Sequence, residues 1–333
     1  MSHDLAFRDG RNSFAFTGDR SNIWHRLGQA IAPDQSIDEW AVAAGLDFEA
    51  VLLPAYAELN GRRINHGYLN VHNKTGHAFG HVSQVYKNVQ PLETLQWFEQ
   101  YISHDPRFKL SAAGALRNGE RIWATAEFEG GFKSGGEAHK AYLLMTTTFD
   151  GSGATVNQAS FTRAVCQNTI LAAMSDSRAV IRTRHSTKFD AGKVARELEA
   201  VVKSVDSYKA MGDAMAETTM RRETVAKYFK RLLEIPFDAK SEDVSARKLN
   251  QFSAMGDAYR TTVQEGAPAE TVWAALNAVT RYVDHDRSTR GGDESQEAAR
   301  FLSANFGSGA ALKSEAIRLL TADEDMRELI RVR

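Results

Sequence analysis

What this chain lacks narrows its chemistry before any motif is read. A single cysteine in 333 residues rules out an internal disulfide and any cysteine-rich zinc site. Neither sign of charge dominates: 41 Lys and Arg stand against 42 Asp and Glu, a net charge of −1. No global field therefore draws the chain to nucleic acid or anionic lipid, and any polyanion must be met by local clusters of Lys and Arg. No window approaches the ~18 apolar residues of a membrane helix. The first residues, MSHDLAFRDGRNSFAF, lack the continuous apolar run of a signal peptide. Internal repeats and low-complexity tracts are missing too. The expectation is a soluble, cytoplasmic protein with no membrane partner.

What is there falls into two textures. From about 49 to 160, short apolar runs alternate with Gly and Asn turns, as in β-hairpins. "RNGE" at 117–120 sets Asn-Gly between two strand-like runs and predicts a two-residue hairpin loop. "HNKTGH" at 72–77 predicts a longer turn. PLETLQWFEQYIS (91–103) spaces Leu92, Leu95, Phe98 and Ile102 along one helical face behind Pro91. "SFTRAVCQNTILAAM" (160–174) reads as the start of a helix, with Cys166 as a small core residue beside Val165 and Ile170. From about 189 strand signals fade. Val194, Leu198, Val201, Val205 and Tyr208 make a helical stripe that Met215 continues past Gly212. Further helices are expected at 224–233, 244–263, 269–286, 294–305 and 310–321. The fold class is α+β: an antiparallel sheet of hairpins packed on a central helix, followed by a mostly helical C-terminal half. Residues 1–188 form the sheet domain and 189–333 the helical region.

Four clusters carry candidate chemistry. His66, His72, His77 and His81 fall within sixteen residues, yet no Asp or Glu lies between 62 and 92 to complete a metal site. "DHD" at 284–286, near Arg287 and Arg290, suits either metal binding or acid–base work, or the capping of a helix C-terminus. "FGSGAALKSE" (306–315) fits neither phosphate-loop pattern and reads as a turn into a helix. "SRAVIRTRHSTK" (177–188) is the strongest: Arg178, Arg182, Arg184, His185 and Lys188 with no acidic residue among them. Planar guanidinium groups suit phosphate. Arg62, Arg63, Lys74 and Lys87 add positive charge, Tyr86 and Trp24 add faces for stacking bases, and Arg163 must either be paired or face a ligand groove. The bland reading of the same cluster is a charged strand edge that deters aggregation.

Seven segments then come in a recognisable order: "IWHRLGQAI" (23–31), "GHVSQVYKNVQPLETLQWF" (80–98), "AGALRNGERIWATAEF" (113–128), "SFTRAVCQNTILAA" (160–173), "RTRHSTKF" (182–189), "VWAALNAVTRYVDH" (272–285) and "ANFGSGAALK" (304–313). Together they resemble the phage/plasmid-like family built on domain of unknown function 932. At the level of fold that pattern is similar to single-strand annealing recombinases. The resemblance implies a bent antiparallel sheet formed by hairpins at 62–86 and 107–160, and a central helix beginning near Ser160. It also implies a basic groove lined by 178–188, and assembly into rings or filaments. The expected function is non-catalytic binding and annealing of single-stranded DNA in a mobile element, with no cofactor and no metal. Two alternatives stay open: a metal-dependent hydrolase or nuclease, and a protein-binding factor aimed at host defence or replication.

Overall fold

Alternating apolar runs become strands, and three-four spaced runs become helices, much where the sequence places them. The computed structural model describes residues 6–8, 11–18, 28–151, 155–163, 169–171, 180–183, 191–288, 300, 303–304 and 307–331. Among these, thirteen strands all precede residue 184 and six of eight helices follow residue 190. The strands are β1 (Phe7–Arg8), β2 (Arg11–Asn12), β3 (Phe14–Phe16), β4 (Gln29–Ala30), β5 (Ala50–Leu59), β6 (Arg62–His72) and β7 (Ala78–Val82). Then come β8 (Phe108–Leu116), β9 (Arg121–Ser134), β10 (Glu137–Thr148), β11 (Thr155–Arg163), β12 (Thr169–Leu171) and β13 (Val180–Thr183). Helices α1 (Ile37–Ala43) and α2 (Pro91–Ile102) lie among them. Helices α3 (Ala191–Glu217), α4 (Arg222–Leu232), α5 (Ala246–Gln264), α6 (Val272–Arg281), α7 (Ser308–Thr321) and α8 (Glu324–Arg331) follow. The class is α+β, with antiparallel pairing dominant and a mostly helical C-terminal half.

Eight strands share one sheet in the order β12-β11-β10-β9-β8-β3-β4, with β13 also on β11. β5-β6-β7 make a separate three-stranded sheet. The hairpins expected in a single sheet are thus divided between two. The chain forms two compact units, one of residues 1–129, 142–159 and 180–201, the other of 130–141, 160–179 and 202–333.

The first unit is built on β3, β8 and the start of β9, with Phe14, Phe16, Leu116, Ile122 and Trp123 fully or almost fully buried. Phe14 and Trp123 meet at a centroid distance of 5.4 Å. Helix α2 starts with Pro91 at its first position, as expected, and buries Leu95, Phe98, Tyr101 and Ile102 on one face. Ser36 and Glu39 form a capping box that fixes the start of the short α1. In the second unit α6 is buried at every position from Val272 to Thr280. Its Trp273 indole donates to the Glu137 carboxylate on the β9–β10 hairpin at 2.8 Å. Around it, Phe132, His139, Phe161, Tyr208 and Trp273 make a continuous aromatic cluster, with Phe161 stacked on Tyr208 at 4.4 Å. The α3 stripe is buried at Leu198, Val201, Val205, Tyr208 and Met215, and the helix runs through Gly212.

Two local expectations need correction. Residues Ser160–Arg163 and Thr169–Leu171 are strand, paired Ser160↔Leu171 through Thr162↔Thr169, so no helix begins near Ser160. β11 is buried at Ala159, Ser160 and Phe161 in succession. A strand covered on both faces loses its alternation and imitates a short helical run. The 117–120 loop is the second correction. Leu116↔Arg121 is the last ladder pair, so four residues intervene, not two. Glu120 is drawn off the ladder because its carbonyl accepts from the Phe149 N–H at 2.8 Å and its carboxylate meets His77. The expected helix at 294–305 falls mostly outside the described residues, as does Cys166.

Candidate nucleic-acid interface

The β5–β6 hairpin is an arm, and a tight turn makes it. Asn60 (φ 52°) and Gly61 (φ 73°) take both left-handed positions of a two-residue turn, the geometry that matches strand twist and suits Asn-Gly. The ladder then runs Leu59↔Arg62, Glu58↔Arg63, Ala57↔Ile64 and Tyr56↔Asn65. Beyond it His66 and Gly67 share the place opposite Ala55, a bulge with Gly67 at φ 99°. β7 pairs with β6 only from Tyr68 to Val71, so the outer arm is two strands wide.

Cross-strand partners share a face. Tyr56, Glu58, Arg63 and Asn65 therefore occupy one face, and Ala57, Leu59, Arg62 and Ile64 the other. The Arg63 guanidinium lies over the Tyr56 ring, 5.7 Å from its centroid, a cation–π geometry. Large apolar side chains stand in solvent here: Tyr56 is 54% exposed, Leu59 62% and Ile64 48%. Arg62 and Arg63 are exposed beside them. Exposed aromatic and aliphatic surface interleaved with guanidinium groups is what a single-stranded nucleic acid can use: phosphates on the cations, bases on the ring.

Of the residues singled out in the sequence, the structure joins Arg62 and Arg63 on this arm. Lys74 sits in the β6–β7 turn and is tied to Asp47 at 2.7 Å, which spends its charge. Lys87 is exposed in the segment after β7. Tyr86 beside it is partly buried, and that burial, with the nearby charge of Asp150, pushes its phenol above the usual range. Arg163 ends β11, and Arg182 lies on β13 opposite Val156. Trp24, Arg178, Arg184, His185 and Lys188 lie outside the described residues. Tyr56 and the exposed apolar arm were not among the expected site residues. The signal that marks them is Asn60-Gly61, the same dipeptide that drew attention at 118–119.

The four histidines do not gather at one point. His72 is buried and stacked on Phe48 at 4.2 Å, its Nδ1 accepting the Lys74 N–H at 3.2 Å. His66 and His81 stack on each other at 4.8 Å. His77 Nε2 meets the Glu120 carboxylate at 3.1 Å. His72 and His77 line a small pocket of about 210 Å3 with Phe48, Thr75, Asn118 and Gly119. Among the described residues no three His, Cys, Asp or Glu side chains are grouped to hold a metal ion. The 284–286 cluster lies in a π-helical turn, Tyr282–Asp286, that continues α6. Asp284 is bound there by Lys313 of the "FGSGAALKSE" segment at 2.8 Å, with Lys313 buried and Asp284 nearly so. Burial is the main cause that raises the Asp286 carboxyl above its ordinary value.

No helix among the described residues is long and apolar enough to cross a membrane. Searches of curated proteins and of solved structures found no match. A family model does match, over residues 78–304, about two-thirds of the chain, a span that begins after the arm and takes in β7 to α6. The chain belongs to the family defined by that model, the domain of unknown function DUF932.

Proposed function

We propose that this protein binds single-stranded DNA and promotes annealing, as a non-catalytic factor of a phage- or plasmid-type mobile element. One observation carries the reading: the β5–β6 arm offers Arg63 to solvent with the exposed Tyr56 ring on one face, and Arg62 with the exposed Leu59 and Ile64 on the other. With a net charge of −1 the chain has no other general attraction for a polyanion, so binding must come from such a local surface. Phosphates lie against the two guanidinium groups, and a base stacks on the Tyr56 ring in competition with Arg63. The basic residues of 178–188 are a second candidate contact for phosphate, and assembly into a ring or filament sets copies side by side along one strand.

The test is fluorescence anisotropy with a labelled oligothymidylate across a salt series, beside mass photometry with and without DNA. Binding should weaken by about 0.7 log units per log unit of salt for each phosphate neutralised. Replacing Arg62 and Arg63 together with alanine should flatten that slope by about 0.7 per arginine. Absence of binding at low salt, or an unchanged slope in the double variant, defeats the reading.

A second reading, acid–base hydrolysis, has its own observation: His77 and Glu120 are 3.1 Å apart at the small pocket. Carboxylate-held imidazole is a general-base arrangement. DNA cleavage that requires a divalent ion and is lost in His77→Ala favours this reading over the first.

A further inference from the structure

The second unit also contains a polar pocket. It has a volume of about 520 Å3, within the range of small-molecule sites. One wall is a face of α5: Arg247, Asn250 and Gln251, spaced so that all three project the same way. The other wall is the end of α6, with Tyr282, Asp286 and Arg287. That end is not α-helical. The Arg287 N–H reaches back five residues to the Tyr282 carbonyl at 2.7 Å, closing a π-helical turn. Such turns insert one extra residue, are rare, and concentrate at functional sites.

Charge bookkeeping around the pocket identifies its open valences. Arg281 is taken by Glu265 at 2.5 Å and lies 3.9 Å from Asp286, while Lys313 is taken by Asp284 at 2.8 Å. Arg247 and Arg287 are different: among the described residues neither has a carboxylate within ion-pair distance. Among the described residues the Arg287 guanidinium meets the Ser303 hydroxyl, at 3.5 Å. Two guanidinium groups thus border a hollow that also offers two carboxamides, a phenol and one carboxylate. Guanidinium forks match phosphate oxygens. Carboxamides and a carboxylate match sugar hydroxyls and the N–H edges of a base.

We infer that this pocket binds a phosphorylated small molecule of mononucleotide size, with Arg247 and Arg287 on the phosphate and Asn250, Gln251 and Asp286 on its polar remainder. The same chemistry is offered by a free nucleotide and by the phosphorylated end of a DNA strand. The inference does not rest on the arm or on strand annealing.

Isothermal titration of the full chain tests it, with adenosine 5′-monophosphate, adenosine, and an oligonucleotide with and without a 5′-phosphate. The nucleotide should bind, and adenosine should bind at least about tenfold more weakly, the loss of a charge-assisted contact. Arg247→Ala, at an exposed helix position, and Arg287→Ala should each weaken the nucleotide by about tenfold or more. Arg287→Lys, which keeps the charge and loses the fork, should fall between, and thermal melting of each variant separates lost binding from lost folding. Replacing Arg62 and Arg63 should leave this binding unchanged. If the nucleotide does not bind but the 5′-phosphorylated oligonucleotide binds more tightly than the unphosphorylated one, and Arg247→Ala abolishes that advantage, the site stands and its source is a strand end. No binding of the nucleotide together with no gain in affinity from the 5′-phosphate, or equal binding by all the arginine variants, overturns the inference.

Discussion

Two hairpins in this protein share a turn and differ in everything else. The β5–β6 arm turns at Asn60-Gly61, and the β9–β10 hairpin turns at Gly135-Gly136, where φ is 58° and 81°. Both are two-residue turns with both central residues left-handed. At the second, the tip is enclosed: Ser134 and Glu137 are buried, and the Gly135 N–H donates to Asp213 at 2.8 Å. A Cβ on Gly135 would come within 2.5 Å of the Trp273 indole nitrogen, whereas a Cβ on Gly61 would meet nothing within 4 Å. Identical backbone geometry therefore serves two purposes. One hairpin spends its apolar side chains on a core; the other leaves them in water, where they add nothing to folding and are available to a ligand.

The comparison can be broken by substitution. Trp273→Ala should have the largest effect, about 3–5 kcal/mol of lost stability by urea unfolding, because it empties the cluster around the enclosed tip and removes the indole that donates to Glu137. Gly135→Ala comes next, at about 2–4 kcal/mol, combining overpacking against the indole with a left-handed alanine. Gly61→Ala carries only the backbone part, about 1 kcal/mol; a cost equal to that of Gly135→Ala would mean the arm tip is also packed. Smallest of all, Leu59→Ser with Ile64→Ser should change the unfolding free energy by about 0.5 kcal/mol or less. A loss of several kcal/mol from that pair would show that the arm is covered in solution and refute its assignment as a free surface.

The helical half was legible because its stripes are one-sided: Leu198, Val201, Val205 and Tyr208 are buried as their spacing requires. So was α2, down to Pro91 at its first position. Strand β11 was legible as far as Ser160, inside the hairpin stretch, but its end at Phe161–Arg163 was not, since Ala159, Ser160 and Phe161 are buried in succession and break the period of two. The two Asn-Gly dipeptides show the other limit. At 60–61 local preference decides the turn. At 118–119 it is overruled by Phe149 and His77, which hold Glu120 from a distance in sequence that no local pattern records. The arm itself left a signal, its Asn-Gly turn between strand-like runs, and what could not be read was that nothing packs over Tyr56, Leu59 and Ile64.

The buried Asp284–Lys313 pair sets a limit on how this family should be delimited. Asp284 lies inside the matched segment and Lys313 nine residues beyond residue 304, where it ends. A chain trimmed at that boundary keeps a carboxylate in the interior and discards its cation, a loss worth about 3–5 kcal/mol. The cooperative folding unit is therefore longer than the segment by which relatives are recognised. Across the family the two positions should be inherited together, or exchanged together for apolar residues.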